Sequence, residues 1–284
     1  MQEEEKGLEN KNIVKALKKS EEKKLEKESK NKALFSVDTK LDIIYEDDKV
    51  FVINKPAGLM VHGDGRSDVI TLSDILAHQY PELLNVGEDF IFTEDGADKT
   101  STVFKRPGIV HRLDEGTTGC LIICKTRESF RKIKNGFQEH KVKKIYRAIV
   151  EGVIRQDTGI IDTPIARAKS DFRKRNIVDV YSQDFRGAER EAITRYKVLA
   201  RNKEANLTLV ECYPVTGRTH QIRVHLRGIR HPIIGDELYG TRAGKELLDR
   251  PALHSYSISF KEINVTAQVP EDMQTLIDKY FKMC

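Results

Sequence analysis

Apolar and polar residues alternate along most of this chain in short blocks, and the blocks follow two periods. Ile43-Ile44-Tyr45 and Val50-Phe51-Val52-Ile53 flank the charged run Glu46-Asp47-Asp48-Lys49, a pattern that predicts two strands around a turn. Asn54-Lys55-Pro56-Ala57-Gly58 ends the second strand, because proline has no N–H for a ladder and glycine favours a turn. Cys120-Leu121-Ile122-Ile123-Cys124 is apolar throughout and reads as a buried strand. Residues 144–150 alternate, with Tyr146, Ala148 and Val150 on one side, and residues 192–200 and 207–214 are also strand-like. Helical spacing places Phe130, Ile133 and Phe137 on one stripe within residues 129–140, and Ile222, Leu226 and Ile229 on another within residues 219–229. Residues 72–83 suit a short amphipathic helix. Strands outnumber helices without regular βα alternation, so the expected fold class is α+β with a mixed, mostly antiparallel sheet and flanking helices and loops.

The ends of the pattern set the domain plan. Residues 1–40 are dominated by Lys and Glu, with Glu26/Lys30 and Glu28/Lys32 at i,i+4 spacing and little to bury, so they form a charged extension, helical or disordered. Residues 41–284 form the globular domain. Within it, residues 85–106 are polar and read as a long surface loop. No run of about 18 apolar residues predicts a membrane span. The start, Met1-Gln2-Glu3-Glu4-Glu5, has neither the apolar stretch of a secretory signal nor the acid-poor character of a transit peptide.

Composition adds less. Hydrophobic residues are 39% and charged ones 33% of the 284, as in a soluble globular protein. Cys120, Cys124, Cys212 and Cys284 contain no CxxC pair and suit core packing in a reducing cytoplasm better than disulfides or a metal. The formal charge of +5 is weak evidence for any partner, but residues 169–175 (K-S-D-F-R-K-R) and 218–230 are locally basic. Each is either a solvated face or a nucleic-acid contact.

Three segments could hold chemistry. In His111-Arg112-Leu113-Asp114-Glu115-Gly116-Thr117-Thr118-Gly119 a carboxylate lies beside glycines and threonines between apolar runs. That suits a tight turn open to a ligand, and equally an aspartate that merely closes an Asx-turn. In Val215-Thr216-Gly217-Arg218-Thr219-His220-Gln221-Ile222-Arg223, Thr219 can cap a helix on which His220, Arg223, Arg227 and Arg230 share a face. Such donors suit phosphate or carboxylate, or form a solvated stripe; zinc is a poor reading, since His220 and His225 are five apart with no HExxH. Tyr146 in Lys144-Ile145-Tyr146-Arg147-Ala148 is a core tyrosine or a stacking surface.

Taken together and in order, these segments resemble the RluA-type family of pseudouridine synthases. Residues 108–119 are similar to the family's H-R-L-D-x-x-T-S/T-G signature, 52–62 (with I-N-K-P-A-G-L-M-V-H) to the strand and loop before it, and 144–152 to its K-x-Y-x-A segment. Residues 216–239 resemble its G-R-T-H-Q-I-R-V-H…H-P-I-x-G-D-x-x-Y-G block, and the similarity runs from about Leu41 to the C-terminus. The resemblance implies a pseudouridine synthase fold, uridine isomerisation in structured RNA, and Asp114 as covalent catalyst. It makes Tyr146 the residue that stacks on the base and assists proton removal at C5, and Arg223 the partner of Asp114. Arg112 would hold the flipped nucleotide, and His62, Arg218 and His220 would line the site or its rim. The isomerisation needs no cofactor and no metal, and the carboxylate either attacks C6 of the base or assists departure of uracil and takes a C2′ proton. The expected partner is RNA, large-subunit ribosomal RNA first and transfer RNA second, acted on by a monomer. The chain departs from ribosomal members that carry an N-terminal S4 domain, which residues 1–40 do not resemble. The rival reading is a non-catalytic RNA-binding or assembly factor on the same fold.

Overall fold

The computed structural model describes residues 34–63, 69–88, 90–93, 101–171, 173–178 and 184–281. Their strands, in chain order, are β1 (Ile43–Glu46), β2 (Val50–Lys55), β3 (Phe90–Thr93), β4 (Ser101–Phe104), β5 (Thr118–Cys124), β6 (Lys143–Glu151), β7 (Thr158–Asp162), β8 (Ile165–Arg167), β9 (Arg175–Ile177), β10 (Arg186–Arg190), β11 (Ile193–Asn202), β12 (Leu207–Pro214), β13 (Leu253–Phe260) and β14 (Ile263–Thr266). The α-helices are α1 (Leu72–Gln79), α2 (Arg127–Gln138), α3 (Gln221–Gly228), α4 (Arg242–Leu247) and α5 (Glu271–Tyr280).

A nine-stranded sheet in the order β1-β2-β5-β13-β6-β12-β11-β7, with β14 on β13, spans the molecule. Every pairing in it is antiparallel except β13 with β5, so the fold is α+β with a mixed, mostly antiparallel sheet. All seven residues of β5 are buried, as its apolar run requires. Helices α1 and α2 each begin with a capping box, Thr71 with Asp74 and Thr126 with Ser129, which satisfies orphan amides at both starts. One apolar cluster gathers on β1, β2, β5 and α1, a second on β6, β11, β12, α3 and α5, and Tyr146 packs against both.

The parallel β5–β13 contact is short, pairing Thr118 with His254 and Gly119 with Ser255. Gly119 has φ +106°, and a Cβ there would lie 2.2 Å from the Ser255 carbonyl oxygen. Only glycine lets the chain leave the Asp114 segment and join the sheet at this point.

Three features differ from the pattern-based expectation. Residues 85–106 are not a loop throughout: β3 and β4 form an antiparallel hairpin with Phe90 opposite Phe104. Aromatic and β-branched residues at its ends favour strand, while the polar stretch between them dominates the composition; residues 94–100 lie outside the described residues. Chain ahead of Leu41 is docked on the domain, with Phe35 against the first cluster and Gln79 Nε2 donating to the Val37 and Thr39 carbonyls at 2.7 and 2.9 Å. The rest of the expected extension, residues 1–33, lies outside the described residues. Finally, α3 is not capped by Thr219. His220 occupies the cap in a left-handed conformation (φ 59°) and gives no side-chain cap bond.

Candidate active site

Asp114 stands in the loop between β4 and β5. The turn there is closed by backbone, the Thr117 N–H donating to the Asp114 carbonyl at 3.0 Å. The carboxylate is thereby released from the Asx-turn role and points elsewhere. Glu115 fastens the loop from behind, its carbonyl accepting from Gly58 N–H at 3.0 Å and from Lys55 Nζ at 3.1 Å. Lys55 is fully buried and also donates to the Pro56 and Leu59 carbonyls, each at 2.8 Å. Burial lowers its pKa to about 7, opposed by Glu115 and Asp114 and reinforced by Arg250. The Asn54–Gly58 turn is thus a clamp under the Asp114 loop.

Arg223, buried on α3, meets Asp114 across the cleft, with Nη1 3.1 Å from Oδ2. Its orientation comes from Asp236. That fully buried carboxylate accepts from Arg223 Nε at 2.7 Å and Nη2 at 2.8 Å, and from the amides of Leu238 and Tyr239 at 3.0 and 3.1 Å. A fork held on two edges can offer its remaining N–H in only one direction. The helical stripe expected from spacing is therefore divided: Arg223 is an internal ion-pair residue, Arg227 stays exposed, and His220 precedes the helix.

His220 Nδ1 lies 2.9 Å from the Tyr239 hydroxyl, whose oxygen also accepts the Arg175 amide at 2.8 Å. His220 Nε2 lies 3.9 Å from Asp114 Oδ1. Burial pushes the Asp114 carboxyl up, but His220, Arg223 and Arg112 outweigh it and hold it below the usual carboxylate range. His220 helps only when protonated, and burial depresses its own pKa to about 4. At neutral pH the Arg223 guanidinium is the charge in contact with the carboxylate, and it keeps Asp114 ionised in a largely dry site.

A cavity of about 550 Å³ opens over this pair, lined by Asp114, Tyr146, Arg223, Ile222, Leu253 and Lys144 among others. Tyr146 sits on β6 between Cys212 of β12 and Ser255 of β13. Burial raises its pKa to about 12, the Asp114 charge acting in the same direction against a bond to Ser255, so it is a neutral phenol at pH 7. Arg112, Arg218 and His220 also line the cavity; Arg218 is exposed and its Nε donates to the Glu191 carbonyl at 3.0 Å.

His62 is not among the lining residues. It is buried, 2.8 Å from Ser73 Oγ, whose own proton goes to the Val61 carbonyl, and burial with the charges of Arg106 and Arg112 lowers it to about 3. His111 does line the cavity, but its Nε2 accepts the Ile122 amide at 2.9 Å, a structural bond that locks the Asp114 loop to β5.

Sequence reasoning overlooked Asp236, Tyr239 and Lys55 as parts of the site. All three lie in segments that resemble the family's, and a further signal was Gly235 before Asp236: with φ +73°, a Cβ there would come 1.9 Å from the Arg250 carbonyl, so a tight turn presents the aspartate.

An ionised carboxylate held by one guanidinium thus faces a cavity beside Tyr146, on a mixed sheet between two apolar clusters. The family model described as RNA pseudouridylate synthase matches residues 49–227, more than half of the chain. A ribosomal large subunit pseudouridine synthase D of Zymomonas mobilis is 36% identical over 260 residues, covering 87% of this chain and 73% of that protein. An RNA pseudouridine synthase of Aquifex aeolicus is 40% identical over 211 residues, covering 73% of this chain and 60% of that protein's length. The human RNA pseudouridylate synthase domain containing 1 shares the fold, with a TM-score of 0.62 at 24% identity over 84% of this chain and 85% of that one. The chain belongs to the RluA-type family of RNA pseudouridine synthases, which are isomerases.

Proposed function

We propose that this chain converts uridine to pseudouridine in large-subunit ribosomal RNA, with Asp114 as the covalent catalyst. The observation that carries the reading is the Arg223–Asp114 contact of 3.1 Å, in one cavity with Tyr146. The relatives named for the large ribosomal subunit support the choice of RNA. Among the described residues no helix is long and apolar enough to cross a membrane, and Cys120, Cys124 and Cys212 are free thiols, which suits action on RNA in a reducing cytoplasm. A monomer is sufficient, since one chain supplies Asp114, Tyr146 and Arg223 to the same cavity.

In the reaction the N1–C1′ bond of uridine breaks, the uracil rotates, a C5–C1′ bond forms, and the C5 proton is exchanged for one on N1. Nothing is oxidised, so the site must bind, orient and hold charge. The uridine leaves its stack to reach the cavity, and the Tyr146 ring replaces part of the stacking it loses. Asp114, ionised by Arg223, either adds to C6 or assists uracil departure and takes the C2′ proton. Arg112, Arg218 and His220 act as donors at the rim of the site, and Arg112 holds the nucleotide extruded. His62 acts one layer behind, bonded to Ser73, whose hydroxyl holds the Val61 carbonyl in the loop after the Lys55 clamp.

The test is pseudouridine mapping of large-subunit ribosomal RNA and transfer RNA incubated with the purified chain and with Asp114→Asn. The expected result is a modified uridine in the ribosomal RNA with the native chain, and none with the variant, which still binds RNA. Product made by Asp114→Asn would sink the covalent role, and modification of transfer RNA alone would move the substrate.

A further inference from the structure

The small three-stranded sheet β10-β8-β9 is a feature that the reaction leaves unused. Its strands are short and antiparallel, and their register sets three arginines side by side: Arg175 of β9 opposite Arg167 of β8, and Arg167 opposite Arg186 of β10. Residues directly opposite in such pairs share a face, and like charges there repel. At about 4.8 Å between strands the row spans roughly 10 Å.

Among the described residues nothing neutralises Arg167 or Arg186, and neither has a carboxylate partner: the nearby Asp184 is held by Ser170 and Asn176, and Asp171 by Arg173. The row also has a direction. Ile165 and Ile177, partners two residues along on the same face, seat the sheet on α3 through the cluster with Val224 and Tyr239. Arg175 N–H reaches the Tyr239 hydroxyl that also meets His220. Through Tyr239 and His220 the row thus abuts the cavity, which His220 and Arg112 both line.

We infer that the row Arg186-Arg167-Arg175 is a docking surface for the RNA backbone, its guanidiniums taking successive phosphodiesters of the strand that leads to the target uridine. This rests on the reading of the chain as an enzyme acting on RNA. An outside polyanion relieves the in-register repulsion, and guanidiniums bind phosphate in forked geometry. The basic stretch at residues 169–175 is then the connection that carries the row rather than a diffuse solvated face.

Binding of a 20-nucleotide oligouridine and of a large-subunit ribosomal RNA transcript is measured between 50 and 200 mM salt for the native chain, R167Q/R186Q and R167K/R186K. Loss of two phosphate contacts lowers the slope of log Kd against log salt by about 1.4 on single strands, with about tenfold weaker binding. With the transcript the loss falls on KM rather than kcat. R167K/R186K keeps the slope, and the melting temperature of R167Q/R186Q does not fall, because a repulsion has been removed. An unchanged slope overturns the inference, whether or not the sheet captures an acidic protein; so does an equal loss in R167K/R186K, which would mark a structural role. The oligouridine experiment is independent of turnover. A reduced slope with no pseudouridine formed removes the proposed function and keeps the surface, whereas pseudouridine formation with an unchanged slope does the reverse.

Discussion

Asp236→Asn tests whether Arg223 is aimed by the carboxylate behind it. Asp236 is completely buried and accepts four hydrogen bonds, two from the guanidinium and two from the Leu238 and Tyr239 amides. Asparagine keeps one acceptor oxygen and turns an NH₂ toward a donor, so at least one charge-assisted bond is lost and the guanidinium loses its fully buried anion. Breaking a buried pair from one side costs about 3–5 kcal/mol. Asp114 still neutralises part of the charge at 3.1 Å, which places the loss at the low end, about 3 kcal/mol. For a chain of 284 residues that corresponds to a fall of about 6 °C in melting temperature. A guanidinium displaced by about 1 Å also costs about 100-fold in rate. Thermal melting by circular dichroism and single-turnover pseudouridine formation give the two readouts. A melting temperature within about 1 °C of the native chain, with a rate within about twofold, would refute the argument.

Three further outcomes are expected. Tyr146→Phe keeps the ring against both apolar clusters and removes only the hydroxyl, so single-turnover rate falls by at least about tenfold while RNA affinity moves less than about twofold; equal losses in both would contradict it. Asp114 is held below the usual carboxylate range, so it binds fewer protons folded than unfolded, and both its stabilising charge and the activity persist until pH falls through that depressed value. A rate that already declines between pH 6 and 5 through titration of Asp114, absent when Arg223 is removed, would contradict this assignment. Lys55, lowered from 10.5 to about 7, binds fewer protons folded than unfolded, so its contribution to stability rises with pH from about 7 upward. Urea titrations should show the native chain gaining stability relative to Lys55→Met between pH 7 and 9, and a constant difference would count against the lowered pKa.

What could be read from the chain was whatever depends on neighbouring residues. β2, β5, β6, β11 and β12 appeared where alternation or apolar runs placed them, and α2 within two residues of its expected start. The strands of the arginine row were missed because segments of three to five residues hold too little periodicity to register. The β3–β4 hairpin was hidden by the polar residues that separate its two strands in the sequence. Thr219 offered good cap chemistry, yet the bond network of His220 with Tyr239 took the position at the helix start.

Asp114 shows the same division within one residue. By itself the sequence determined that a carboxylate would sit in a glycine- and threonine-bounded turn, and the linked motifs named Tyr146 and Arg223 as its companions. Only the tertiary structure decided that the turn is closed by backbone, that a side chain 109 residues away reaches the carboxylate, and that Asp236 aims that side chain. The physical reason is range. Turn and strand preferences arise within a few residues, whereas an ion pair gains its strength from burial, and burial exists only once β5, β13 and α3 have come together.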